Sequence, residues 1–477
     1  MNSEIHQIYV DLDGTLIKTD LFFEAILNLV KKNPLYIFNI IFWILLGRSF
    51  AKEKVAERVT INAEDLPYHQ ELLDYLKIKK EQGCSLILAT ASHKRYAQKI
   101  SNYLGIFDNI IATEQKDNMK GSRKLKEIQK LSAGNRFSYA GDNKADIPIW
   151  EAAHSNIFVN APKSAINAAK KNDKVEKIFS TKSHSTGRAF FKGMRPQQWA
   201  KNVLVFVSLV TAHQYTDNDI VATFLLAFIC FSLCASGVYF MNDLLDIEAD
   251  RHHKTKHKRP IASGDLPIPY GIIGAVALPF LAFSIAIVFL RIEFVLVLAF
   301  YFIVTNLYSF SLKSISTADV MTLAVLYTLR VVAGAVAADI ELSSWLLTYS
   351  IFLFVSLAYL KRYIEISNLE NNGKNAKGRG YSAADAETMY SLGTANITAS
   401  IIVLALYLNS EDVMVQYNHP QILLVLCFLM LYWSNRIWVG ARRGKITDDP
   451  VIFAVKDKVS RYIGIAFILT VLTAKFS

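Results

Sequence analysis

The sequence contains little cysteine, and its cysteines are not spaced to bind zinc or to form a disulfide framework. The four are Cys84, Cys230, Cys234 and Cys427, and none belongs to a CxxC pair. Zinc modules and disulfide-stapled secreted domains need closely spaced cysteines. We therefore expect the four cysteines to be free thiols in a reducing, cytosolic setting, and to serve as core-packing residues.

Long apolar runs are nearly absent from residues 1–190 but dominate residues 195–477. Apolar runs of about 20 residues separated by short polar loops are typical of integral membrane proteins. The sequence predicts nine candidate spans, at roughly 199–215, 220–241, 269–290, 293–312, 320–338, 343–360, 393–408, 420–439 and 461–475.

Basic residues are scarce in one set of connecting loops and frequent in the other. The loops after the odd-numbered spans hold one basic residue, Arg291, whereas those after the even-numbered spans are rich in Lys and Arg. The positive-inside rule places the basic loops in the cytoplasm. The N-terminal part, which opens without the pattern of a signal peptide, is then cytoplasmic too, in a protein of the cell (inner) membrane.

The net charge of +11 is mainly a consequence of this topology. Nucleic-acid binding usually needs a basic surface with interleaved aromatic residues. No such surface is evident outside the loops, so we expect no nucleic-acid partner.

A short apolar run, IYV, ends in DLDGTL, which covers Asp11 to Leu16. DLDGT resembles the first motif, DxDGT, of the haloacid dehalogenase (HAD) phosphohydrolases, which implies that the turn after a strand presents Asp11 as a nucleophile towards a phosphoryl group. Asp13, two residues later, points the same way and is suited to general acid and base work. Gly14 permits the turn, and Thr15 can hydrogen-bond within it.

Three further patterns follow in order: SLILATAS with Thr90, KGSRK with Lys124, and GDNKAD with Asp142 and Asp146. Together with DLDGT they resemble the four motifs of the haloacid dehalogenase (HAD) phosphohydrolases, over roughly residues 4–160. The resemblance implies that Thr90 donates a hydroxyl to the phosphate and that Lys124 offsets charge on an aspartyl-phosphate.

The HAD resemblance also implies an α/β fold with a doubly wound parallel sheet and one Mg²⁺ held by carboxylates. The expected ligands are Asp11, Asp13, Asp142 and Asp146. A degenerate domain kept for folding or docking is the alternative, but no motif residue is missing.

A helical cap is expected at about residues 16–85, between the first two motifs. It contains PLYIFNIIFWILLG, whose apolar part runs from Leu35 to Gly47 and is too short to span a membrane comfortably. Two interpretations remain open: a cap helix on the membrane surface, or a buried cap helix.

An acidic stretch, NDLLDIEAD, follows the second span. On a helix Asp243, Asp246 and Asp250 share one face, and Glu248 points away. Three carboxylates on one face repel each other unless a cation holds them. Mg²⁺ is the simplest cation, and a diphosphate is the simplest reason to hold it near a bilayer.

NDLLDIEAD followed by Arg259-Pro260 resembles the motif of the UbiA superfamily, over about residues 188–475. These are helical membrane enzymes that transfer groups to or from polyprenyl chains, so the resemblance implies an all-α multi-pass bundle of about nine spans. RPQQWAKN, KRYIE and GRGY resemble the decaprenyl-phosphate phosphoribosyltransferase branch, and the loop after the sixth span is basic rather than rich in Asp.

The substrates implied are phosphoribosyl diphosphate (PRPP) and a polyprenyl (decaprenyl-type) phosphate, and Arg suits their phosphates. Arg330 lies inside the fifth span, where a charge costs at least ~2.5 kcal/mol, so it should bind substrate or a partner such as Asp319. Asp449 and Asp457 suit a metal site or pairing with bases, and we expect pairing for Asp449. The predicted substrate-binding residues are Lys201, Asn202, Asn242, Asp243, Arg259, Lys313, Arg330, Lys361, Arg362, Glu365, Arg379 and Tyr381.

We therefore expect a HAD-like phosphatase domain at 1–171, a linker at 172–188 and a UbiA-like domain at 189–477, with Mg²⁺ in each site. The membrane domain would transfer phosphoribose, and the phosphatase would act on its product. The alternatives are prenyl transfer to an aromatic acceptor in quinone or haem pathways, and a non-catalytic transporter or scaffold.

Overall fold

The computed structural model describes residues 6–114, 119–180, 185–370, 380–446 and 449–476. The chain forms two compact units. The first unit comprises Met1–Met194 and Tyr239–Ala275, and the second comprises Arg195–Val238 and Val276–Ser477. The first unit therefore contains the acidic stretch that follows the second predicted span.

The first unit is built on a six-stranded parallel sheet, in the order β3-β2-β1-β4-β5-β6. Its strands are β1 (Gln7–Val10), β2 (Ser85–His93), β3 (Asn109–Thr113), β4 (Phe137–Gly141), β5 (Ser155–Val159) and β6 (Val175–Phe179). After β1 the chain adds strands on one side of the sheet (β2, β3), and it then returns to add β4, β5 and β6 on the other side. The order of strands therefore reverses between β1 and β4, which is where open α/β sheets bind ligands. The predicted doubly wound sheet is confirmed.

Nine helices accompany this part of the chain: α1 (Leu21–Lys32), α2 (Tyr36–Leu46), α3 (Arg48–Arg58), α4 (Gln70–Glu81), α5 (Lys94–Leu104), α6 (Ser122–Ser132), α7 (Ile147–Ala152), α8 (Lys163–Lys171) and α9 (Thr186–Gly193). Side chains alternate between the faces of the sheet. Ile8 and Val10 join one core cluster, and Tyr9 joins the other. Both faces of the sheet are therefore covered, as the doubly wound class requires.

Helices α1 to α3 lie in the predicted cap segment. The interpretation of a buried cap helix is wrong for α2, because only Ile40 and Trp43 are buried among its residues. The remaining apolar side chains of α2 point outward, with Phe38 69% and Leu45 80% exposed.

The remaining helices are α10 (Val207–Thr211), α11 (Asn218–Leu245), α12 (Ile247–His252), α13 (Ile268–Phe289), α14 (Ile292–Phe310), α15 (Ala318–Ala337), α16 (Ser344–Glu370), α17 (Ala386–Leu408), α18 (Glu411–Gln416), α19 (Val425–Arg442), α20 (Pro450–Lys456) and α21 (Lys458–Phe476). In the described parts of the chain, eight helices are long and apolar enough to cross a membrane: Asn218–Leu245, Ile268–Phe289, Ile292–Phe310, Ala318–Ala337, Ser344–Ser367, Ala383–Leu408, Pro420–Arg442 and Lys458–Phe476. The protein is a multi-pass membrane protein.

The first of the nine predicted spans, 199–215, is not a long α-helix. It consists of a 3-10 helix, Pro196–Phe206, followed by the five-residue α10. This segment packs tightly on α15 within the second unit, since a Cβ on Gly334 would lie 2.0 Å from the Val205 carbonyl oxygen. An apolar run predicts burial, but periodicity over so short a run does not distinguish the two helix types.

The predicted linker, 172–188, begins too early. Val175–Phe179 form β6, which pairs with β5 at the edge of the sheet. Helix α9 begins at Thr186, inside the predicted linker. The polar residues on both sides of VEKIF concealed an edge strand, which pairs with a neighbour on one side only.

Candidate active sites

Three carboxylates converge at the carboxyl ends of β1 and β4. Asp11 follows β1, Asp142 follows β4, and Asp146 closes the short 3-10 helix Lys144–Asp146. Their ligand oxygens lie within 4.8 Å of one another, the one such group of three among the described residues. Carboxylate oxygens at this spacing suit a hard divalent cation such as Mg²⁺.

Lys124, in α6, faces this group from a fully enclosed position. Its side chain is 2% exposed, and its Nζ lies 3.0 Å from Asp11 Oδ1 and 3.6 Å from Asp146 Oδ1. The Nζ also donates to the Tyr139 hydroxyl, which donates to Asp146 at 2.9 Å. Tyr139 thus orients both the lysine and a carboxylate. The sequence does not reveal this role of Tyr139, because a tyrosine within a buried strand such as β4 indicates only core packing.

Asp13 lies in the turn after β1 and is held from two sides. Its Oδ2 accepts from the Ser92 hydroxyl, and its Oδ1 accepts from the Leu21 amide at 3.0 Å. Gly14 has φ of +78°, and a Cβ there would lie 2.3 Å from Asp142 Oδ2. Only glycine fits this turn, because any side chain would displace the carboxylate.

Thr90 lies within β2, three residues before its end, and is fully buried; its hydroxyl oxygen accepts from the Ser92 amide at 3.0 Å. Because Val10, the last residue of β1, pairs with Leu88, Thr90 lies beside the turn that follows β1. The four motifs therefore meet at one edge of the sheet.

The carboxylates of this centre are hard to ionise without a cation. Burial raises the pKa of Asp11 to about 6, and Lys124 opposes the increase. Burial, with the nearby Asp20, raises the pKa of Asp13 to about 7. Burial, with Asp11, raises the pKa of Asp142 to about 8. A bound divalent cation would offset both the burial and the repulsion between neighbouring carboxylates, so that these side chains would be ionised.

The cap supplies a cation that the sequence did not reveal. Lys52, in α3, donates its Nζ to the Ala91 carbonyl at 2.7 Å, next to Thr90 and Ser92. Burial lowers the pKa of Lys52, and Asp13 and Asp20 counteract this. In the sequence AKEKVAER a lysine looks like part of a solvated helix face, so periodicity gives no sign of the role.

The acidic stretch of the first unit is also organised by a cation. Asp243 and Asp250 are both buried, and both accept from Arg259 Nη1, at 3.1 Å for Asp243. Their spacing of seven residues brings them to one side, as predicted. The predicted continuous helix is wrong, however, because α11 ends at Leu245 and Asp246 caps a separate helix, α12. Asp246 and Asn242 are half-buried.

The same stretch is joined to the phosphatase cap within the first unit. Arg251, in α12, donates to both carboxylate oxygens of Glu24, at 3.0 Å for one, and to the Asp65 carbonyl at 3.2 Å. Both side chains of the ion pair are under 10% exposed. Asn28 donates to Glu248 at 2.8 Å. No local pattern in the sequence indicates this joint, because its partners are between 186 and 227 residues apart.

In the second unit, Asp449 collects two of the predicted substrate-binding lysines. Its Oδ2 lies 2.8 Å from Lys201 Nζ and 3.2 Å from Lys361 Nζ, and the Tyr327 hydroxyl donates to it at 3.4 Å. Burial would raise the pKa of Asp449, but Lys361 and Lys201 lower it well below its usual value. The predicted pairing of Asp449 is confirmed, and Asp457 pairs with Arg436.

Arg330 and Asn202, also in the second unit, contact each other. Arg330 Nε donates to Asn202 Oδ1 at 2.8 Å, and Asn202 donates to Ser232 at 3.1 Å. Arg330 also lies over the Tyr301 ring, 5.0 Å from its centroid. The expected alternative, a pair between Arg330 and Asp319, is wrong.

Asp319 instead pairs with Arg362, which donates to both of its oxygens, one at 2.8 Å. Arg362 also contacts Glu365 and donates to the Tyr308 hydroxyl at 2.7 Å. Arg362 is 1% exposed and Asp319 is fully buried. Arg362, which the sequence predicts to bind substrate phosphate, is therefore already paired with the carboxylate of Asp319.

The last predicted residues lie near the loop that follows α14. Lys313 sits in a 3-10 helix, Leu312–Ser314, and is half-buried. The hydroxyl of Tyr381 accepts from the Thr317 amide at 2.8 Å. Arg379 lies outside the described residues.

Two protein families match this chain. The model of the UbiA prenyltransferase family matches residues 203–448, and that of the haloacid dehalogenase-like hydrolases matches residues 8–151. Because the first match covers more than half of the chain, the protein belongs to the UbiA prenyltransferase family, and it carries a HAD-like hydrolase domain at its N-terminal end. Both predicted resemblances are confirmed.

Several individual proteins are similar. "Uncharacterized protein y4nM" of Sinorhizobium fredii is 34% identical over 457 residues, which are 95% of this chain and 88% of that one. The decaprenyl-phosphate phosphoribosyltransferase of Mycolicibacterium smegmatis is 34% identical over 227 residues, 46% of this chain and 70% of that one. A solved UbiA homolog from Archaeoglobus fulgidus, bound to GPP and Mg²⁺, covers 60% of this chain and 97% of its own, with 15% identity and a TM-score of 0.45.

Proposed function

We propose that the membrane domain transfers the 5-phosphoribosyl group of PRPP to a polyprenyl phosphate. The observation that carries the proposal is the basic cluster of the second unit, in which Asp449 holds Lys201 and Lys361. Relatives named decaprenyl-phosphate phosphoribosyltransferase support it, since they match this part of the chain at 34% and 29% identity.

The charge of the substrates explains why this function is favoured over aromatic prenyl transfer. PRPP carries a diphosphate and a separate 5-phosphate, and the acceptor carries a third phosphate group. A prenyl diphosphate with an aromatic acceptor brings only the diphosphate. Two lysines on one carboxylate leave an excess of positive charge, which suits the additional phosphates.

The carboxylates of the acidic stretch suit a divalent cation by their chemistry, although its three aspartates are not among the described groups of three whose ligand oxygens converge. Asp243, Asp246 and Asp250 would hold Mg²⁺, with Arg259 bound to the same carboxylates. When bound, Mg²⁺ neutralises charge on a diphosphate leaving group. Arg259, with its two buried partners, fixes the carboxylates in place whether or not a metal is present.

In the proposed transfer, an oxygen of the polyprenyl phosphate attacks C1 of the ribose. The bond from C1 to the diphosphate breaks, and the diphosphate leaves with the bonding electrons. Lys201 and Lys361 bind phosphate and orient the reactants. The product is polyprenyl-phosphoryl-5-phosphoribose, and no protein nucleophile takes part.

We propose that the HAD domain removes the 5-phosphate of this product. A carboxylate oxygen of Asp11 attacks phosphorus, the bond to the ribose oxygen breaks, and Asp13 protonates that oxygen. Water then cleaves the aspartyl-phosphate while Asp13 accepts its proton. Lys124 stabilises the charge that develops on the phosphoryl group. Asp11, Asp142 and Asp146 would hold the Mg²⁺, which offsets phosphate charge.

The transfer step is tested with the full chain in nanodiscs. Polyprenyl phosphate, Mg²⁺ and PRPP labelled on the ribose are supplied, and label in the lipid fraction is measured. Label entering that fraction is the expected result. No transfer from PRPP, together with prenylation of an aromatic acid by prenyl diphosphate, would show that the protein is an aromatic prenyltransferase instead.

The phosphatase step is tested in the same assay with Asp11→Asn. The labelled lipid should accumulate as the phosphorylated form, at an unchanged rate of transfer. Asp74→Asn, on the exposed side of α4, is the control and should behave as the parent chain does. Normal conversion of the lipid by Asp11→Asn would assign the HAD domain to another substrate.

The proposed topology completes this scheme. The protein would lie in the cell (inner) membrane. The basic loops after α11, α14, α16 and α19 would face the cytoplasm, as the positive-inside rule predicts. The HAD domain, which precedes the spans, would lie on the same side. PRPP is soluble and anionic, so a cytoplasmic site gives it access without transport.

A further inference from the structure

Every exposed residue of helix α2 of the phosphatase cap is apolar except Asn39. Phe38, Phe42 and Leu45 are 69%, 58% and 80% exposed, and Ile41 and Leu46 are more than half exposed. On the other side, Ile40 and Trp43 pack into the phosphatase core. A helix that is apolar on all sides is normally buried on all sides. A continuous apolar surface of this kind marks a site of interaction.

The length and flanking charges of α2 indicate what covers this surface. The helix has 11 residues, so it is about 16 Å long, only half of the ~30 Å needed to cross a bilayer. Lys31 and Lys32 precede it, Arg48 follows it, and all three are exposed. Basic residues near an anionic membrane surface contribute about 1 kcal/mol each. Short apolar helices flanked by cations are suited to the boundary between headgroups and acyl chains.

The first unit also contains the ends of two membrane spans. Its segment Tyr239–Ala275 includes the last residues of α11 and the first residues of α13. The loop between them is joined to α1 through the buried pair of Arg251 with Glu24 and through Glu248 with Asn28. Helix α2 begins four residues after α1 ends. The bilayer that α11 and α13 enter is therefore close to α2.

We propose that α2 lies in the bilayer interface, with its outer side among the lipids of an anionic membrane leaflet. The occupant of this surface is lipid, not a second copy of the chain. Helix α2 thus anchors the phosphatase cap at the membrane, in addition to the covalent connection through the spans.

The position has a consequence for the phosphatase, which rests on the proposed function. Gly47, with φ of +136°, lets α3 begin directly after α2. Lys52 of α3 reaches the Ala91 carbonyl beside the phosphatase centre. A cap that enters the lipid at one helix and reaches the catalytic centre at the next favours a phosphate carried by a membrane lipid over a freely soluble one.

The first test measures depth and needs no enzyme activity. The four native cysteines are replaced in the full chain, and an environment-sensitive fluorophore is attached at Leu45→Cys. The protein is placed one copy per nanodisc, in phosphatidylcholine and phosphatidylserine with spin-labelled acyl chains. We expect about half of the emission to be quenched, for a depth of roughly 5–10 Å. The matched control is Ile78→Cys on α4, an apolar residue that is 53% exposed and should be quenched by aqueous iodide instead.

Two results would overturn the proposal. Quenching of the Leu45 label by iodide, and not by the spin-labelled lipids, would place α2 in water. A label protected from both quenchers only when two copies share a disc would show that a second chain covers the helix.

The second test separates lipid and soluble substrates. Phe38→Gln with Leu45→Gln should raise KM for the lipid-linked sugar phosphate by about tenfold, because two apolar side chains lose their burial in lipid. Activity on para-nitrophenyl phosphate should not change. Equal loss on both substrates would mean that α2 supports only the fold of the cap. If spin-labelled lipids quench the label at Leu45→Cys but the lipid-linked sugar phosphate is not a substrate, then α2 lies in the membrane and only the proposed phosphatase function is wrong.

Discussion

The acidic centre of the HAD-like domain in the first unit and the basic cluster of the second unit balance charge in opposite ways. In the acidic centre Asp11, Asp142 and Asp146 surround a single lysine, Lys124. In the basic cluster one carboxylate, Asp449, contacts two lysines. The first arrangement lacks positive charge, and the second lacks negative charge.

The difference indicates how each region would meet a phosphate. An acidic centre repels phosphate unless a divalent cation is bound, so its affinity for substrate depends on metal. A basic cluster attracts phosphate directly, with a strength that falls as salt increases. The acidic stretch with Arg259 is intermediate, because the chain supplies one cation to two buried carboxylates.

The largest expected effect is on the acidic centre. Asp13→Asn should lower the phosphatase rate by about 10²–10⁴-fold, because an amide cannot donate and accept the proton. The amide oxygen can still accept from the Leu21 amide, and the amide nitrogen can donate to the Ser92 hydroxyl oxygen in place of the second carboxylate oxygen, so the fold should remain. Transfer of phosphoribose should be unaffected. The measurement is release of phosphate from the lipid-linked sugar by the full chain.

Asp20→Asn is the matched control for this change. Asp20 lies near Asp13 and caps α1 by accepting from the Phe22 amide, and Asn caps a helix as well as Asp does. We expect less than about a tenfold change in rate. Equal losses for the two variants would show that local charge, and not proton transfer by Asp13, determines the rate.

The second prediction concerns a buried ion pair of the second unit. Asp319→Ala should lower the free energy of unfolding by about 3–5 kcal/mol, because it removes the buried carboxylate that pairs with Arg362 and leaves only the more exposed Glu365 to balance the charge. Unfolding of the full chain in mixed micelles, followed by circular dichroism as the denaturing detergent is increased, measures the loss.

The double variant Asp319→Leu with Arg362→Met separates structure from function. It removes both charges, so most of the lost stability should return. If Arg362 serves only the fold, transfer activity should return with stability. A stable but inactive double variant would show that Arg362 also binds substrate, as the sequence predicted.

These pairs show what the sequence could and could not predict. The sequence predicted that Asp11, Asp142 and Asp146 would lie together, because each motif follows a strand and parallel strands place such ends together. Asp13, which was also predicted as a metal ligand, is not part of this group of carboxylates, and Tyr139 and Lys52 were not predicted. Asp319 pairs with Arg362 rather than Arg330, and Lys201 meets Asp449 from 248 positions away. No local pattern specifies such partners, since they depend on how the helices pack.

For two further segments the sequence was not sufficient, and the reason is different. The run at 199–215 was correctly identified as apolar, but its 3-10 geometry depends on the close packing at Gly334. The interpretations of α2 could not be separated by apolar length, and the exposure of Phe38 and Leu45 decided against a buried helix. Hydrophobicity predicts that a residue avoids water but does not say what surrounds it instead.

The third prediction compares the metal dependence of the two reactions. Asp243→Asn should raise the Mg²⁺ concentration needed for half-maximal transfer by about 10–100-fold, as loss of an oxygen ligand or its support does. The Mg²⁺ dependence of the phosphatase should not change. Glu248→Gln in the same stretch is the control and should affect neither titration. A shift of both titrations would mean that the acidic stretch and the phosphatase centre do not bind metal independently.

The smallest effect is expected at the basic cluster. Asp449→Asn keeps an oxygen that can accept from Lys201 but removes the charge that holds the two lysines together. We expect kcat/KM for PRPP to fall by about tenfold, because loosely held lysines bind phosphate in less favourable positions. The rate is measured at several salt concentrations, and the loss should shrink as salt screens the lysines.

Asp457→Asn is the matched control, because Asp457 lies in the same loop region and pairs with Arg436 at a more exposed position. Such pairs are worth about 0.2–1 kcal/mol, so transfer should change by less than about fivefold. Equal effects of the two variants would mean that the region tolerates no loss of negative charge, whatever its partner. An increase in PRPP affinity for Asp449→Asn would show that Asp449 competes with substrate phosphate for the lysines instead of positioning them.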